Sequence, residues 1–408
     1  LVRHGATVFL GHKEENLGNA DVVVISSAVR ETNPEVVAAK KKNIPIIPRA
    51  EMLGELMRMK TGVAIAGTHG KTTTTSMVAT IASSAGLDPT IIIGGRVDAL
   101  GGNARLGQGE ILIAEADESD KSFLCLPATI GVVTNIDNDH LDHYGDFERV
   151  KDAFVDFINK LPFYGLAALC VDDPNVRSIL PRLKKPFLTY GFSPQASFQA
   201  RNVRVQGFSS LVDIWREGKC LGEIVVNSPG EHMVLNALAA VAVSLELGMS
   251  FADVQKGFEK FRGVKRRFEN KGERAGVTVI DDYAHHPTEI RATLKGIRST
   301  WKGRIVTVFQ PHRYSRTRDC YAQFVAAFGD TDQLFVTDIY PAGEEPIPGI
   351  TAEMLAADIQ SHGHRSASYI GNVDSAVQAI PMALKSGDLL ITLGAGNVYK
   401  VGEGILAK

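Results

Sequence analysis

Short apolar runs rich in Val, Ile and Ala recur along this chain, and most of them end in a polar or glycine-containing turn. Runs of this kind are typical of strands buried on both faces of a parallel sheet. Helical stretches separate them, and this alternation indicates an α/β fold with mostly parallel sheets. Strands are predicted at 4–9, 21–25, 44–47, 62–66, 111–114, 129–133, 277–280, 304–309, 334–337 and 389–392. Helices are predicted from Pro34, over 49–59, from Lys71 and over 233–247.

The 408 residues are too many for one hydrophobic core, so we predict three domains. Residues 1–58 resemble the end of a small α/β domain, 59–265 form a central domain, and 266–408 repeat the α/β pattern. Within the central domain, short alternating strands over 186–228 predict a β-rich flap. Because the chain begins at Leu1 within an element, we expect the first domain to be incomplete.

The stretch GVAIAGTHGKTTTTSM, residues 62–77, predicts a strand, a glycine turn and a helix in direct succession. Such a layout cradles phosphate: loop N–H groups and the helix N-terminus face the anion, Lys71 adds a positive charge, and Thr72 can bind Mg²⁺. The stretch departs from the usual phosphate-loop rule, because Ile65 stands where a first glycine is expected. The alternative is a glycine turn that opens an ordinary helix.

Acidic residues follow the next apolar strand in the sequence EADESD, residues 115–120. A carboxylate at this strand end could hold nucleotide-bound Mg²⁺, and Glu115 is the first choice. For some of the four acids, a solvated loop is the better interpretation. Polar residues also follow the strand at 129–133, among them His140, although a lone histidine is more often structural than catalytic.

Two further pairs have open interpretations. Ser26 and Ser27 follow a first-domain strand and could contact a ligand, although capping of the next helix explains them equally well. His232 and Asn236 share one face of the predicted helix near 233–247, where they could contact a base or simply cap and pack.

The third region places charged residues after two strands. Two acids and two histidines follow the strand at 277–280, in DDYAHHP, and three arginines follow the strand at 304–309, in QPHRYSRTR. Arginines at this density suit an anionic ligand. The two groups therefore predict a charged crevice across neighbouring strand ends.

Composition excludes several classes of protein. A net charge of −2 gives no reason to expect nucleic acid or an anionic membrane as partner. No apolar run approaches membrane-spanning length, and no signal peptide is visible. The four cysteines lie far apart without a CxxC pair, which argues against a zinc site and suits a reducing cytoplasm.

Five motifs, taken together and in order, resemble the Mur ligase family. They are GTHGKTTTT at 67–75, EADESD at 115–120, TNIDNDHLDHY at 134–144, DDYAHHPTEI at 281–290 and FQPHRYSRTRD at 309–319. The resemblance covers essentially the whole chain. It implies a UDP-sugar-binding domain, a parallel-sheet P-loop domain that binds ATP, and a Rossmann-like C-terminal domain. It also implies a cytoplasmic monomer or homodimer that joins L-alanine to UDP-N-acetylmuramate through an acyl phosphate, in peptidoglycan precursor synthesis.

The resemblance also implies roles for individual residues. The ATP phosphates would be held by Gly67, Thr68, His69, Gly70, Lys71, Thr72 and Thr73. Thr72 and Glu115 would bind Mg²⁺, and His140 a second metal ion or the substrate carboxylate. Asn236 with His232 would contact adenine, and Arg267 with Asp282 would close over the nucleotide. Ser26 and Ser27 would belong to the UDP-sugar side. The alanine and acyl-phosphate site would be lined by Tyr283, His285, Arg313 and Arg316.

Three departures from the family pattern stand out. The glycine-rich turn that grips the UDP pyrophosphate is absent, Met233 stands where relatives often carry Asn, and no lysine is assignable to the carbamylated position of many relatives. Three alternatives remain: a sister ligase that reattaches a recycled tripeptide, a folylpolyglutamate-type ligase, and a nucleotide-binding regulatory module without turnover. The arginine motif at 309–319 favours the alanine-adding branch over the first, and the histidine in GTHGK disfavours the second.

Overall fold

The computed structural model describes residues 2, 5–26, 28–97, 102–139 and 141–407. Within this part of the chain the strands form three sheets of two, ten and six strands, in chain order. Most neighbouring strands are parallel, as predicted, and no described helix is long and apolar enough to span a membrane.

The N-terminal unit is small. It contains β1 (Val23–Ile25), β2 (Ile46–Pro48), α1 (Pro34–Lys41) and α2 (Arg49–Arg58). The side chain of Asn33 accepts a hydrogen bond from Glu35 N and caps α1, as expected before a proline at the first helical position. The strand predicted at 4–9 is wrong for its described residues 5–9, because β1 and β2 pair only with each other and no neighbour extends the ladder.

The central unit is built on the ten-stranded sheet. Its strands are β3 (Thr61–Ala66), β4 (Thr90–Val97), β5 (Gly102–Arg105), β6 (Ile111–Glu115), β7 (Ile130–Val133), β8 (Leu166–Cys170), β9 (Phe187–Gly191), β10 (Phe198–Gln206), β11 (Ser209–Arg216) and β12 (Lys219–Val226). Its helices are α3 (Lys71–Ser84), α4 (Leu141–Tyr144), α5 (Phe147–Asn159), α6 (Pro174–Ile179), α7 (Glu231–Glu246) and α8 (Phe251–Lys260).

In this sheet, β3 lies between β6 and β7 and is parallel to both. The ends of these three strands therefore meet at one edge, where the predicted phosphate loop and both polar loops begin. The predicted β-rich flap is not separate from the sheet: β10 pairs with β9 at Phe198 and Tyr190, and β11 and β12 continue the same sheet as antiparallel strands.

The C-terminal unit has the six-stranded sheet in the order β13, β14, β18, β15, β16, β17. Its strands are β13 (Glu269–Arg274), β14 (Val277–Asp282), β15 (Ile305–Phe309), β16 (Gln333–Val336), β17 (Ala367–Tyr369) and β18 (Leu389–Leu393). Its helices are α9 (Pro287–Thr300), α10 (Tyr314–Asp319), α11 (Tyr321–Val325), α12 (Ala352–Ser361), α13 (Val373–Ala383) and α14 (Tyr399–Ala407). Only β13 is antiparallel to its neighbour.

Neighbouring units are in contact. In the N-terminal unit, α2 lies so close to the central unit that a Cβ at Gly54 would stand 2.5 Å from the carbonyl oxygen of Cys125. In the central unit, Phe208 in the turn after β10 reaches the C-terminal unit, where its ring stacks on Trp301 with a centroid distance of 6.0 Å. The first contact therefore joins the N-terminal and central units, and the second joins the central and C-terminal units.

Candidate active site

The phosphate loop, Gly67–Gly70, connects β3 to α3 and needs both of its glycines. Gly67 and Gly70 have φ angles of +131° and +83°, which other residues rarely adopt. A Cβ at Gly70 would stand 2.4 Å from Oδ1 of Asn236, so the loop lies directly against α7. No side chain caps α3, and its first N–H groups are therefore available to an anion.

Lys71 folds back onto its own loop. Its Nζ donates to the carbonyl oxygens of Gly67 (2.7 Å) and Thr68 (3.2 Å) and lies 2.7 Å from a carboxylate oxygen of Glu118. Glu118 is 2% exposed, and burial raises the pKa of its carboxyl to about 7 although Lys71 opposes the change. The sequence alone did not distinguish Glu118 from the other three acids of this loop. In the structure Glu118 points inward and contacts Lys71.

Thr72 and Glu115 lie side by side, as the resemblance implies for two Mg²⁺ ligands. The hydroxyl of Thr72 donates to Oε1 of Glu115 at 2.9 Å, and the backbone N–H of Gly94 donates to Oε2 at 2.7 Å. A hydroxyl and a carboxylate beside a phosphate loop are hard oxygen donors of the kind that Mg²⁺ prefers, so these residues fit the ion. His140 lies outside the described residues.

His69 stands where the phosphate loop meets the C-terminal unit. Its Nε2 lies 3.0 Å from Oδ2 of Asp137, and its Nδ1 lies 3.3 Å from Oε1 of Glu289. Burial alone would lower the pKa of His69, but the two carboxylates outweigh it and raise the pKa to about 9. The imidazole is therefore protonated near neutral pH.

A cavity of about 360 Å³ lies on the α7 side of the phosphate loop. Its walls include the apolar side chains of Tyr190, Leu235 and Ala292, together with His232 and Asn236. Burial lowers the pKa of His232 to about 4, so its ring is neutral and can serve as a hydrogen-bond partner of a base. The two predicted base-contacting residues therefore share one cavity. Sequence spacing gave no signal for Tyr190, which comes from a distant strand.

Asp282 is the last residue of β14, and Tyr283 and His285 follow in the next loop. Asp282 accepts hydrogen bonds from the backbone N–H groups of Ala284 (2.8 Å) and Phe268 (3.1 Å), and burial raises its pKa to about 6. No ion pair joins it to Arg267 within the described residues. Arg267 instead lies over the Tyr283 ring, with 4.9 Å to the centroid, and 3.8 Å from Glu289.

The segment after β15, which carries the arginines, contacts the central unit through Arg316. Arg313 adopts a left-handed conformation with φ of +70°, fixed by a hydrogen bond from its N–H to the carbonyl oxygen of Tyr340. Arg316 is 9% exposed; its guanidinium lies 3.4 Å from Asp139 of the central unit, and its Nε has no hydrogen-bond partner among the described residues. A buried N–H without a partner is costly, so this donor is an unsatisfied group next to the interface with the central unit.

His312 is a further residue of this loop that the sequence interpretation missed. Its ring stacks on Tyr340 with a centroid distance of 5.5 Å and lies 5.8 Å from the ring of His285. Burial lowers the pKa of His312 to about 4 and that of His285 to about 3, so both rings are neutral. In the sequence, only the position of His312 directly before Arg313 could have indicated a role for this histidine.

A cavity of about 660 Å³ lies between the central and C-terminal units. His312, Arg313 and Arg316 do not line it, although Asp139, the partner of Arg316, does. Its lining includes Lys71, Thr72, Glu115, Asp139, Arg267, Tyr283, His285 and Glu289. It shares His69, Gly70 and Glu289 with the 360 Å³ cavity. A third cavity of about 420 Å³, lined by α2, adjoins it at Gly94, Glu115 and Asp117.

Of the first-domain candidates, Ser26 is exposed just after β1, where its carbonyl oxygen accepts a hydrogen bond from the N–H of Val29. It lines none of the three cavities described above. Ser27 lies outside the described residues.

Three family models match the chain in order. They are described as "Mur ligase family, catalytic domain" over residues 1–61, "Mur ligase middle domain" over 65–244 and "Mur ligase, glutamate ligase domain" over 266–396. The chain therefore belongs to the Mur ligase family, which confirms the resemblance found in its motifs.

Among similar proteins is a UDP-N-acetylmuramate–L-alanine ligase of Geobacter sp. (strain M21). It is 59% identical over 405 residues, which cover 99% of this chain and 88% of that relative. The enzyme of the same name from Geotalea uraniireducens is 58% identical over 404 residues, with the same coverage of 99% and 88%. The crystal structure of the UDP-N-acetylmuramate-alanine ligase from Thermotoga maritima matches with a TM-score of 0.81 at 28% identity, covering all of this chain and 89% of that one.

Proposed function

We propose that this protein uses ATP to join L-alanine to the muramoyl carboxylate of UDP-N-acetylmuramate, forming an amide bond for peptidoglycan precursor synthesis in the cytoplasm. Relatives that are named for this reaction are 59% and 58% identical to this protein over 99% of its chain. The observation that carries the proposal is the 660 Å³ cavity, where the phosphate loop and the loop after β14 face each other and Asp139, the partner of Arg316, forms part of the wall.

ATP would extend across the phosphate loop from one cavity to the other. Adenine fits the 360 Å³ cavity beside His232 and Asn236, and the phosphates fit the N-terminus of α3 with Lys71. The two cavities meet at His69 and Gly70, which is the geometry that one elongated nucleotide needs. We assign the remaining loop residues, Thr68 and Thr73 included, to the phosphates.

Mg²⁺ would be held by Thr72 and Glu115, whose oxygens are 2.9 Å apart. The ion supplies charge neutralisation on the phosphates and polarises the γ-phosphoryl group. From the family motif, His140 is assigned to a second metal ion or to the substrate carboxylate.

UDP-N-acetylmuramate would approach from the side of the 420 Å³ cavity, because that cavity opens to the reaction space at Gly94 and Glu115. Its carboxylate oxygen attacks the γ-phosphorus, and the bond from that phosphorus to the β,γ-bridging oxygen breaks as ADP leaves. Lys71 stabilises the charge on the transferring group, which requires it to exchange part of its contact with Glu118 for phosphate oxygens.

Alanine would bind on the C-terminal side, with its carboxylate on Arg313 and Arg316. The Nε of Arg316 is buried and has no partner among the described residues, so a side-chain rearrangement that exposes it would let it donate to this anion. His285 stays neutral, so it does not compete with the arginines for the carboxylate. The amine attacks the carbonyl carbon of the acyl phosphate, the bond to the phosphate oxygen breaks, and inorganic phosphate leaves. Because water would hydrolyse the acyl phosphate, Tyr283 and Arg267 act as part of the cover over the cavity.

The test is phosphate release from ATP and Mg²⁺ with UDP-N-acetylmuramate, adding L-alanine, glycine, L-serine or a tripeptide in turn. We expect release to depend on both UDP-N-acetylmuramate and L-alanine. Tripeptide-dependent release would instead assign the recycling reaction, and no release with any acceptor would indicate a nucleotide-binding module without turnover.

A further inference from the structure

Glu289 connects the amino-acid side of the cavity to the phosphate loop. It stands at the third position of α9, where its Oε2 accepts hydrogen bonds from the backbone N–H groups of His285 (3.0 Å) and His286 (3.2 Å). Its other oxygen, Oε1, lies 3.3 Å from Nδ1 of His69 in the central unit. One carboxylate therefore fixes the turn that carries His285 and also contacts the phosphate loop.

His69 extends this connection back to the C-terminal unit. Its Nε2 lies 3.0 Å from Asp137, and Oδ2 of Asp137 accepts a hydrogen bond from the hydroxyl of Thr288 at 2.7 Å. A histidine that faces one carboxylate with each ring nitrogen carries two N–H groups and therefore a positive charge. The chain of contacts crosses the interface twice, from Glu289 to His69 and from Asp137 to Thr288.

Burial distinguishes this connection from an ordinary surface contact between units. The side chains of His69 and Glu289 are each 14% exposed, so solvent and salt screen their interaction weakly. A second ion pair at the same interface, Lys295 to Glu231 at 3.3 Å, has side chains that are 70% and 72% exposed. Exposed pairs of this kind contribute little, which makes Glu231 a suitable control.

We propose that Glu289 is a positioning residue: together with His69 it holds the turn carrying Tyr283 and His285 over the phosphate loop. The amino-acid side of the cavity is thereby fixed in position relative to the phosphate loop. This inference rests on the ligase function proposed above.

A double-mutant cycle with Glu289→Gln, His69→Gln and the double variant tests the coupling. Glu289→Gln keeps an oxygen that can cap α9 and removes the charge that His69 faces. We expect KM for L-alanine to rise about tenfold or more in each single variant, and the double variant to be little worse than either, as for residues in direct contact. We expect KM for ATP to change by less than about threefold, because the phosphates bind to the loop backbone and Lys71.

Glu231→Gln should leave all three KM values unchanged. Two results would overturn the proposal. The first is a double variant whose rise in KM for L-alanine equals the product of the rises in the two single variants. The second is an equal increase of KM for ATP and KM for L-alanine.

Small-angle X-ray scattering of the same variants tests the contact without turnover. We expect Glu289→Gln and His69→Gln to show a larger maximum dimension than the wild type and Glu231→Gln, with unchanged circular dichroism. Unchanged scattering of both folded variants would contradict the positioning role. An inactive wild type would refute the ligase function, and the scattering comparison would still decide whether this contact holds the units together.

Discussion

The buried charge on His69 makes the stability of the folded protein depend on pH. Because the two carboxylates raise the pKa of His69 from 6.5 to about 9 in the folded protein, its contribution to stability is complete below about pH 6.5. The contribution is lost as pH rises through about 9. At about 1.4 kcal/mol per unit of pKa, the full contribution is about 3 kcal/mol.

The assay compares the wild type with His69→Gln in denaturant unfolding at a series of pH values, both in a Trp215→Phe background, so that the fluorescence comes from Trp301 at the contact between the two units. Taking the difference between the two proteins removes the titration of groups that do not contact His69. We expect the stability advantage of the wild type over His69→Gln to fall by about 3 kcal/mol between pH 6 and pH 10. A difference that stays constant over this range would refute the assignment of a protonated His69.

Three other predictions test the site. Lys71→Ala should abolish phosphate release by removing the charge that stabilises the transferring group, and near-normal release would contradict that role. Gly70→Ala should abolish binding of a fluorescent ATP analogue, because its Cβ would stand 2.4 Å from Asn236. Gly86→Ala is the matched control, with a φ of +81° but no atom within 4 Å of the new Cβ; equal loss in both would show that backbone strain alone is responsible. Arg316→Lys should raise KM for L-alanine about tenfold or more, since a lysine cannot supply the fork of donors, and an unchanged KM would place the carboxylate elsewhere.

Most strands and the main helices were predictable because their signal is local. Apolar runs such as Ile130–Val133 form strands buried on both faces, and Gly70 marks the start of α3. The failure at 5–9 has the opposite cause: a short run of strand-forming residues becomes a strand only when a neighbouring chain segment pairs with it, and local sequence does not show that partner.

The residues of the candidate site that directly follow predicted strands could be predicted from the sequence. Thr72 and Glu115 meet because the carboxyl ends of β3 and β6 are adjacent in the sheet. Glu118 and Glu289 were not singled out, because the sequence presents them as one acid among four and as an ordinary residue of a helix start. Their partners, Lys71 and His69, come from distant parts of the chain, and only the packing of loops against each other brings these pairs together.

The most direct test of ligation through an acyl phosphate uses UDP-N-acetylmuramate whose muramoyl carboxylate is labelled with ¹⁸O. With ATP, Mg²⁺ and L-alanine present, mass spectrometry of the inorganic phosphate reports the origin of its oxygens. We predict one ¹⁸O atom in each phosphate, because the carboxylate oxygen that attacks the γ-phosphorus leaves with it. Alanine-dependent phosphate without the label would contradict the account, since the phosphoryl group would then have been transferred to water and not to the substrate.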